Sequence, residues 1–449
     1  MSLTILQLPQ DVLLELAKHL NVGDLLSFLS TCRAIRELRL ERSLWLETLI
    51  RIREVELQPL PLSTAETLDT LSRDELQKVV HRAHGLKNNW ESEKPRIIGM
   101  HSLSVTSQSE IFCIPGAHIV VTHGWGSMSC WDILTSQRVG DLEFPELIVH
   151  AEALSMEMNG KSLIGACFQL HGLIKNLVVI CVDFRDRAHI SMSYVVSPAA
   201  KDTLQFPSGF FIDPQIMGFL ADSKLVTWRL DADAAIQTTP YHGVLTGAQC
   251  LPIGRSIYAL SRGSARSEGK LQVIPHPATD RQSTVISVSP SPCEIYESIK
   301  VPYPAHWRTW TLWDPYVFAP QYGIFAVICR SFSSVQDEEL AFIHFRPARM
   351  VHGELEFSQS CVYRHGEAIS DVAVGVSGTY VLLRINPANA TPYLGLVHFN
   401  ATPVPHTTFR RLEVEDTLVF SCVQIAFDEQ QGLVLLVDNV GEMTVLSYA

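Results

Sequence analysis

The side chains that could do chemistry in this chain are spread out rather than gathered. Ten cysteines stand at 32, 113, 130, 167, 181, 250, 293, 329, 361 and 422, with no CxxC and no Cys–His ligand spacing. There is no HExxH, no GxSxG and no Gly-rich loop opening a helix. Neither a metal hydrolase nor an activated nucleophile is specified. Gly124-Trp125-Gly126-Ser127 comes nearest to a phosphate loop, but it falls at the tip of a strand pair and reads as a turn. No catalytic residue, metal or cofactor is expected, and the chain is not expected to be an enzyme. The residue types support recognition by contact instead. Residues 296–316 hold three Trp, three Tyr, an Arg and a His, among them Tyr303, Trp307, Arg308 and Trp310. Such side chains bury large areas with few rotors and dominate binding hot spots. His123 and Trp125 form a smaller candidate of the same kind.

A second contact surface is written in the first fifty residues. Leu8, Val12, Leu13, Leu16 and Leu20 recur at helical spacing, and so do Leu25, Leu26, Phe28, Leu29, Ile35, Leu38, Leu44, Trp45 and Leu49. About forty residues cannot bury that much apolar surface alone. Pro9 and Asp11 suit a helix start, and the first helix is expected to reach Leu20. Asn21-Val-Gly23 breaks it, and Asp24 is expected to cap a second helix over 25–31. A third helix is expected over about 33–52, with Arg33, Arg36, Arg39 and Arg42 as a solvated stripe.

The order of these residues resembles the F-box motif. Leu8-Pro9, the apolar run through Leu20, Asp24-Leu25-Leu26, Cys32-Arg33 and Leu44-Trp45 follow the family pattern, with Ile35 where many members carry Trp. The resemblance implies a three-helix unit that docks on the Skp adaptor of a cullin-based ubiquitin ligase. It makes Leu8, Pro9, Val12, Leu16, Leu44 and Trp45 the candidate adaptor-binding residues. Residues 1–53 are assigned to this module. Residues 54–95 read as a helical connector: Ser72 with Glu75 forms a capping box ahead of a helix over about 74–88.

From residue 96 to 449 the period changes. Short β-branched runs alternate with Gly, Asn, Asp, Ser and Pro. Seven copies of one strand pair can be aligned, over 117–133, 161–184, 215–230, 254–274, 323–345, 378–399 and 432–448. Their second strands end 51, 46, 46, 71, 54 and 48 residues apart. A period near fifty in an all-β region predicts a β-propeller of about seven four-stranded blades. Cys130-Trp131-Asp132 resembles the close of a WD repeat; the other copies lack that signature. The strand near 96–105 is expected to complete the last blade and close the ring. The 71-residue spacing makes 291–316 read as an insertion at the rim of one face.

Composition narrows the function. Of 35 Lys/Arg and 47 Asp/Glu, residues 1–96 hold 13 and 14, leaving 22 and 33 for the β region. That acidity argues against nucleic acid, which needs clustered cations, and fits a protein partner. No apolar run approaches the roughly 20 residues of a membrane span. The N-terminus has no signal-peptide character, so a cytoplasmic or nuclear location is expected. The expected function is substrate recognition in a Skp–cullin–F-box ligase: an adaptor and, through it, a cullin at one end, and an unidentified target protein at the other. A scaffold without a degradative role, or a propeller enzyme or small-ligand binder with a helical cap, are the alternatives.

Overall fold

In the computed structural model, residues 8–449 are described except 57, 63–65, 106–109, 125, 145–147, 158, 171–172, 199–207, 222–223, 231–235, 241–245, 254–255, 263–268, 276–296, 302–309, 312–324, 335–336, 348–354, 366, 389 and 401–405. The helices come first: α1 (Gln10–Lys18), α2 (Val22–Phe28), α3 (Arg33–Arg36), α4 (Arg42–Glu54) and α5 (Arg73–Glu91). Asn21 caps α2, its side chain accepting from the Asp24 amide at 2.8 Å; Asp24 lies inside the helix. The expected third helix is broken. After α3 the chain tightens into a 3₁₀ turn over Glu37–Leu40, and Glu41 is extended before α4 begins. The break turns Leu44, Trp45, Leu49 and Ile52 into one core. The carbonyl of Arg39 takes a hydrogen bond from the Trp45 indole at 2.9 Å. Of the expected arginine stripe, Arg33 and Arg36 are exposed, whereas Arg42 is drawn in. Arg42 is tied to the carbonyls of Leu68, Asp69 and Leu71 at 3.0, 2.9 and 3.1 Å.

The capping box is present as read. Ser72 accepts from the Glu75 amide, and the Glu75 carboxylate accepts from the Ser72 amide at 2.7 Å. The Ser72 hydroxyl, which donates to the Glu75 carboxylate at 2.6 Å, and the Ser72 amide hold that carboxyl below its usual pKa. The helix they start is longer than expected and belongs to two cores. Leu76, Val80 and Ala83 complete the core of α1–α4, while Leu86 and Trp90, one and two turns on, enter the β core. The connector helix therefore packs on both parts.

The described β strands form seven four-stranded antiparallel sheets. Each aligned copy is the middle strand pair of one sheet, at 119–132, 161–183, 216–229, 256–275, 325–347, 380–400 and 433–447. The flanking first and fourth strands carry weaker patterns. First strands meet one another across sheets: Glu110–Ile114 touches both Ile148–Glu157 and Cys422–Asp428, and Ala368–Val374 also touches Cys422–Asp428. Sheets arrayed around their first strands make a β-propeller. Closure follows the expectation. The strand Gly99–Ser104 pairs antiparallel with Glu442–Ser447, from Gly99–Ser447 to Ser104–Glu442, and completes the last sheet from the other end of the domain. That removes an open edge.

The long spacing resolves in part into sheet. Glu297–Val301 is the fourth strand of one sheet, and Trp310–Thr311 pairs with Ser331 and Arg330 as the first strand of the next. The stretch read as one insertion thus supplies strands to two sheets.

A candidate protein-docking face and the mount beneath it

The core of the helical module is filled from within. Leu13, Ala17, Val22, Leu25, Leu29, Ile35, Leu38, Leu44, Trp45, Leu49 and Ile52 are buried together with Leu60, Leu71 and the first half of α5. Leu44 and Trp45, expected at the adaptor face, are 1% and 0% exposed. In this fold they are core residues, because α5 closes over α4. Leu8 is half-buried against the same core, and Pro9 is exposed at the cap of α1. Val12 and Leu16 behave differently. They lie one turn apart on α1, on the side away from Leu13 and Ala17, and are 39% and 44% exposed. Leu40, which the motif reading did not single out, is 62% exposed. Gln10 donates to Glu41 at 2.9 Å, which brings the Leu40 turn to the start of α1. At the other end Lys18 pairs with Glu47 at 2.9 Å, and Arg51 donates to the Lys18 carbonyl at 2.6 Å. Helix α1 is thus clamped along α4 with an apolar strip outward.

Of the second set of candidates, His123 is the one whose side chain is described. His123 is buried within the strand Ile119–Gly124, so it is not displayed on a hairpin tip. Trp125, Tyr303, Trp307 and Arg308 lie outside the described residues, and of Trp310 only the backbone pairing is described. Among the described residues, no group of three or more His, Cys, Asp or Glu could hold a metal ion. Burial pushes the Cys130 thiol up to about 12 and raises Cys113 as well, which makes both poor nucleophiles. No described helix is long and apolar enough to cross a membrane.

What sequence reasoning missed is the mount. Trp90 packs between Tyr380 and Phe427, ring centroids 5.1 Å from each. Asn89 donates to the carbonyls of Arg96 and Tyr448, both at 2.8 Å, and its own side-chain oxygen accepts from the Arg96 amide. The turn after Asp428 sits against α5. Gly432 is at φ +67°, and a Cβ there would lie 2.5 Å from Leu86 Cδ1. Gly432→Ala is expected to cost about 1–3 kcal/mol through backbone strain and overlap, read as a lower denaturant midpoint at constant slope. An unchanged midpoint would mean that the turn does not bear on α5.

Two carboxyl groups are sealed into this joint. Asp428 accepts from the amides of Gly116 and Gln431 at 2.9 and 3.1 Å. Glu429 accepts from the Ser377 amide at 2.8 Å and the Ser377 hydroxyl at 2.5 Å. Burial outweighs these bonds and pushes Asp428 up to about 6 and Glu429 up to about 7. An acid with a raised folded pKa stabilises the fold fully below its unfolded pKa, about 4. That contribution is lost as pH rises through the folded value. The melting temperature is therefore expected to fall between pH 5 and pH 8, and Glu429→Gln to flatten the fall. Equal slopes in the two proteins would contradict this.

The chain is thus a helical module with an outward apolar strip, mounted by one shared helix on a β-propeller. Residues 5–43 match the F-box domain, and the chain is an F-box protein with a C-terminal β-propeller. No curated protein matches it. Similar solved structures include the β-propeller domain of Myceliophteria thermophila Cps50 (Swd1), 12% identical over 77% of this chain and 99% of that one, TM-score 0.46. Hydrazine synthase of Kuenenia stuttgartiensis is 10% identical over 78% and 99%, TM-score 0.46. A chain of the mitotic checkpoint complex is 8% identical over 80% and 95%, TM-score 0.41. Likenesses of that size decide nothing; the propeller rests on its own sheets and their closure.

Proposed function

We propose that this protein is a substrate-recognition adaptor of a Skp–cullin–F-box ubiquitin ligase. The F-box module would dock on a Skp-type adaptor and through it a cullin, and the propeller, read as seven blades, would hold a target protein. The observation that carries the reading is the filled core beneath Val12 and Leu16. Among the described residues nothing in the module covers them, and they form a ready contact strip on the F-box itself. Pro9 and Leu40 extend the strip, while Leu44 and Trp45 act from below by holding α4 in place. The chain supplies proximity, and another subunit supplies the reactive thioester. It needs no nucleophile of its own, and we propose no enzymatic activity, with the protein at work in the cytoplasm or nucleus. The full-length chain is expected to co-purify with a Skp-type adaptor and a cullin. Recovery of neither from cells that contain both would overturn the reading.

A further inference from the structure

The last sheet carries an apolar patch at the start of its first strand. That strand, Cys422–Asp428, runs from this patch to the turn that packs on α5, about 20 Å at the rise of a β-strand. Cys422 pairs with Asp438 across the sheet, and the register shifts between Cys422 and Gln424. Val423 occupies that irregularity and is turned outward at 56% exposure. Phe420, two residues before Cys422, is 73% exposed, and Val440, two residues after Asp438, is 70% exposed. Three large apolar side chains thus lie within two residues of one cross-strand pair. Isolated exposed apolar residues are ordinary, but a cluster marks a contact site.

Phe420 is held in place. It stands on a short helix, α6 (Asp416–Ser421), whose neighbouring Val419 is buried in the core shared with Trp90. The Ser421 hydroxyl donates to the Thr417 carbonyl at 3.1 Å, and Thr391 donates to Asp416 at 3.1 Å. The backbone beneath Phe420 is thus fixed, and little of its freedom is lost on binding.

The segments that carry the patch are mostly acidic, although Arg384 lies within electrostatic reach of Cys422. Glu413, Glu415, Asp416, Asp438 and Glu442 lie on the segments that carry it. Arg411, the basic residue on the same loop, already stacks 4.5 Å over the Tyr393 ring and lies 3.9 Å from Asp416. Glu413 pairs with Lys94 at 3.2 Å. Glu415 and Glu442 form no ion pair among the described residues.

We infer that this patch binds a basic peptide segment of a partner protein, with a large apolar side chain on Phe420 and Val423 and Lys or Arg beside Glu415 and Glu442. The inference deepens the target-binding half of the proposed function. It does not depend on the adaptor half. The test uses the full-length chain and fluorescein-labelled ten-residue peptides: a central Leu-Phe pair flanked by Lys and Arg, the same pair flanked by Asp and Glu, and the basic flanks around Ser-Gly. Fluorescence anisotropy is expected to show binding of the first peptide alone. Phe420→Ser is expected to weaken it by about tenfold or more, and Glu415→Gln with Glu442→Gln to weaken it and reduce its salt dependence. Unchanged melting temperatures establish that the variants fold, and adaptor capture is measured on the same samples. Peptide binding without adaptor capture removes the ligase reading and leaves the patch standing. Adaptor capture with no peptide binding, or binding unaffected by Phe420→Ser, overturns the patch. Equal binding of the acidic peptide overturns it too, as does concentration-dependent self-association abolished by Phe420→Ser, which would make the occupant a second copy of the chain.

Discussion

Replacing both Val12 and Leu16 with Asp abolishes adaptor capture in a pull-down, with affinity falling on the order of 100-fold or more, while the melting temperature stays within a degree or two. The two side chains stand outside a complete core, so the folded chain gives up little when they become polar. A docked partner, in contrast, would have to bury two carboxylates against apolar surface. Their neighbours behave in the opposite way. Leu13 is buried one residue from Val12, and Trp45 is fully buried with its indole bonded to Arg39. Trp45→Ala therefore loses capture by unfolding the module, and its melting temperature falls with it. Capture that survives Val12→Asp with Leu16→Asp would move the docking face elsewhere.

Trp90→Ala is the largest expected effect on stability. Trp90 is 3% exposed, fills the space between Tyr380 and Phe427, and lies near the end of the helix that both cores share. Truncating a buried aromatic of this size costs about 3–5 kcal/mol through lost transfer energy and the cavity it leaves. Here the loss falls on the joint as well. The half of α5 that carries Leu76, Val80 and Ala83 remains anchored in the module, while its last turns lose their hold on the propeller. Limited proteolysis is expected to cut between about residues 86 and 98 in the variant and not in the native chain. A variant that melts with the native protein and resists cleavage there would mean that the propeller does not rely on α5.

Much of this architecture is written locally. The Ser72–Glu75 capping box, the Leu-Pro and Cys-Arg elements and the seven strand pairs each arise from residues close in sequence, so spacing alone exposes them. The closing strand, Gly99–Ser104, was legible as a short β run ahead of the first strand pair. The division of the leucines could not. Whether Val12 or Leu13 faces inward depends on α5, more than fifty residues further along, which fills the core from behind. The break at Glu41 was hidden for a similar reason. No Gly or Pro marks it, and it is sustained by tertiary contacts such as the Trp45 indole on the Arg39 carbonyl. Cap choice between Asn21 and Asp24 turned on geometry that residue preference cannot rank. His123 looked like a tip residue because the hairpin was read as polar at its end. In the fold its strand is buried over five consecutive positions, covered on both faces, so the alternation that would have marked an outward side chain is absent.

Hydrogen exchange of the full-length chain with and without a purified Skp-type adaptor tests the central claim most directly. Amides of α1, from Gln10 to Lys18, and of the Glu37–Leu40 turn are expected to gain protection on mixing, while the propeller amides stay as they were. No added protection anywhere, or protection confined to the sheets between Gly99 and Ser447, would contradict the F-box face as the docking surface.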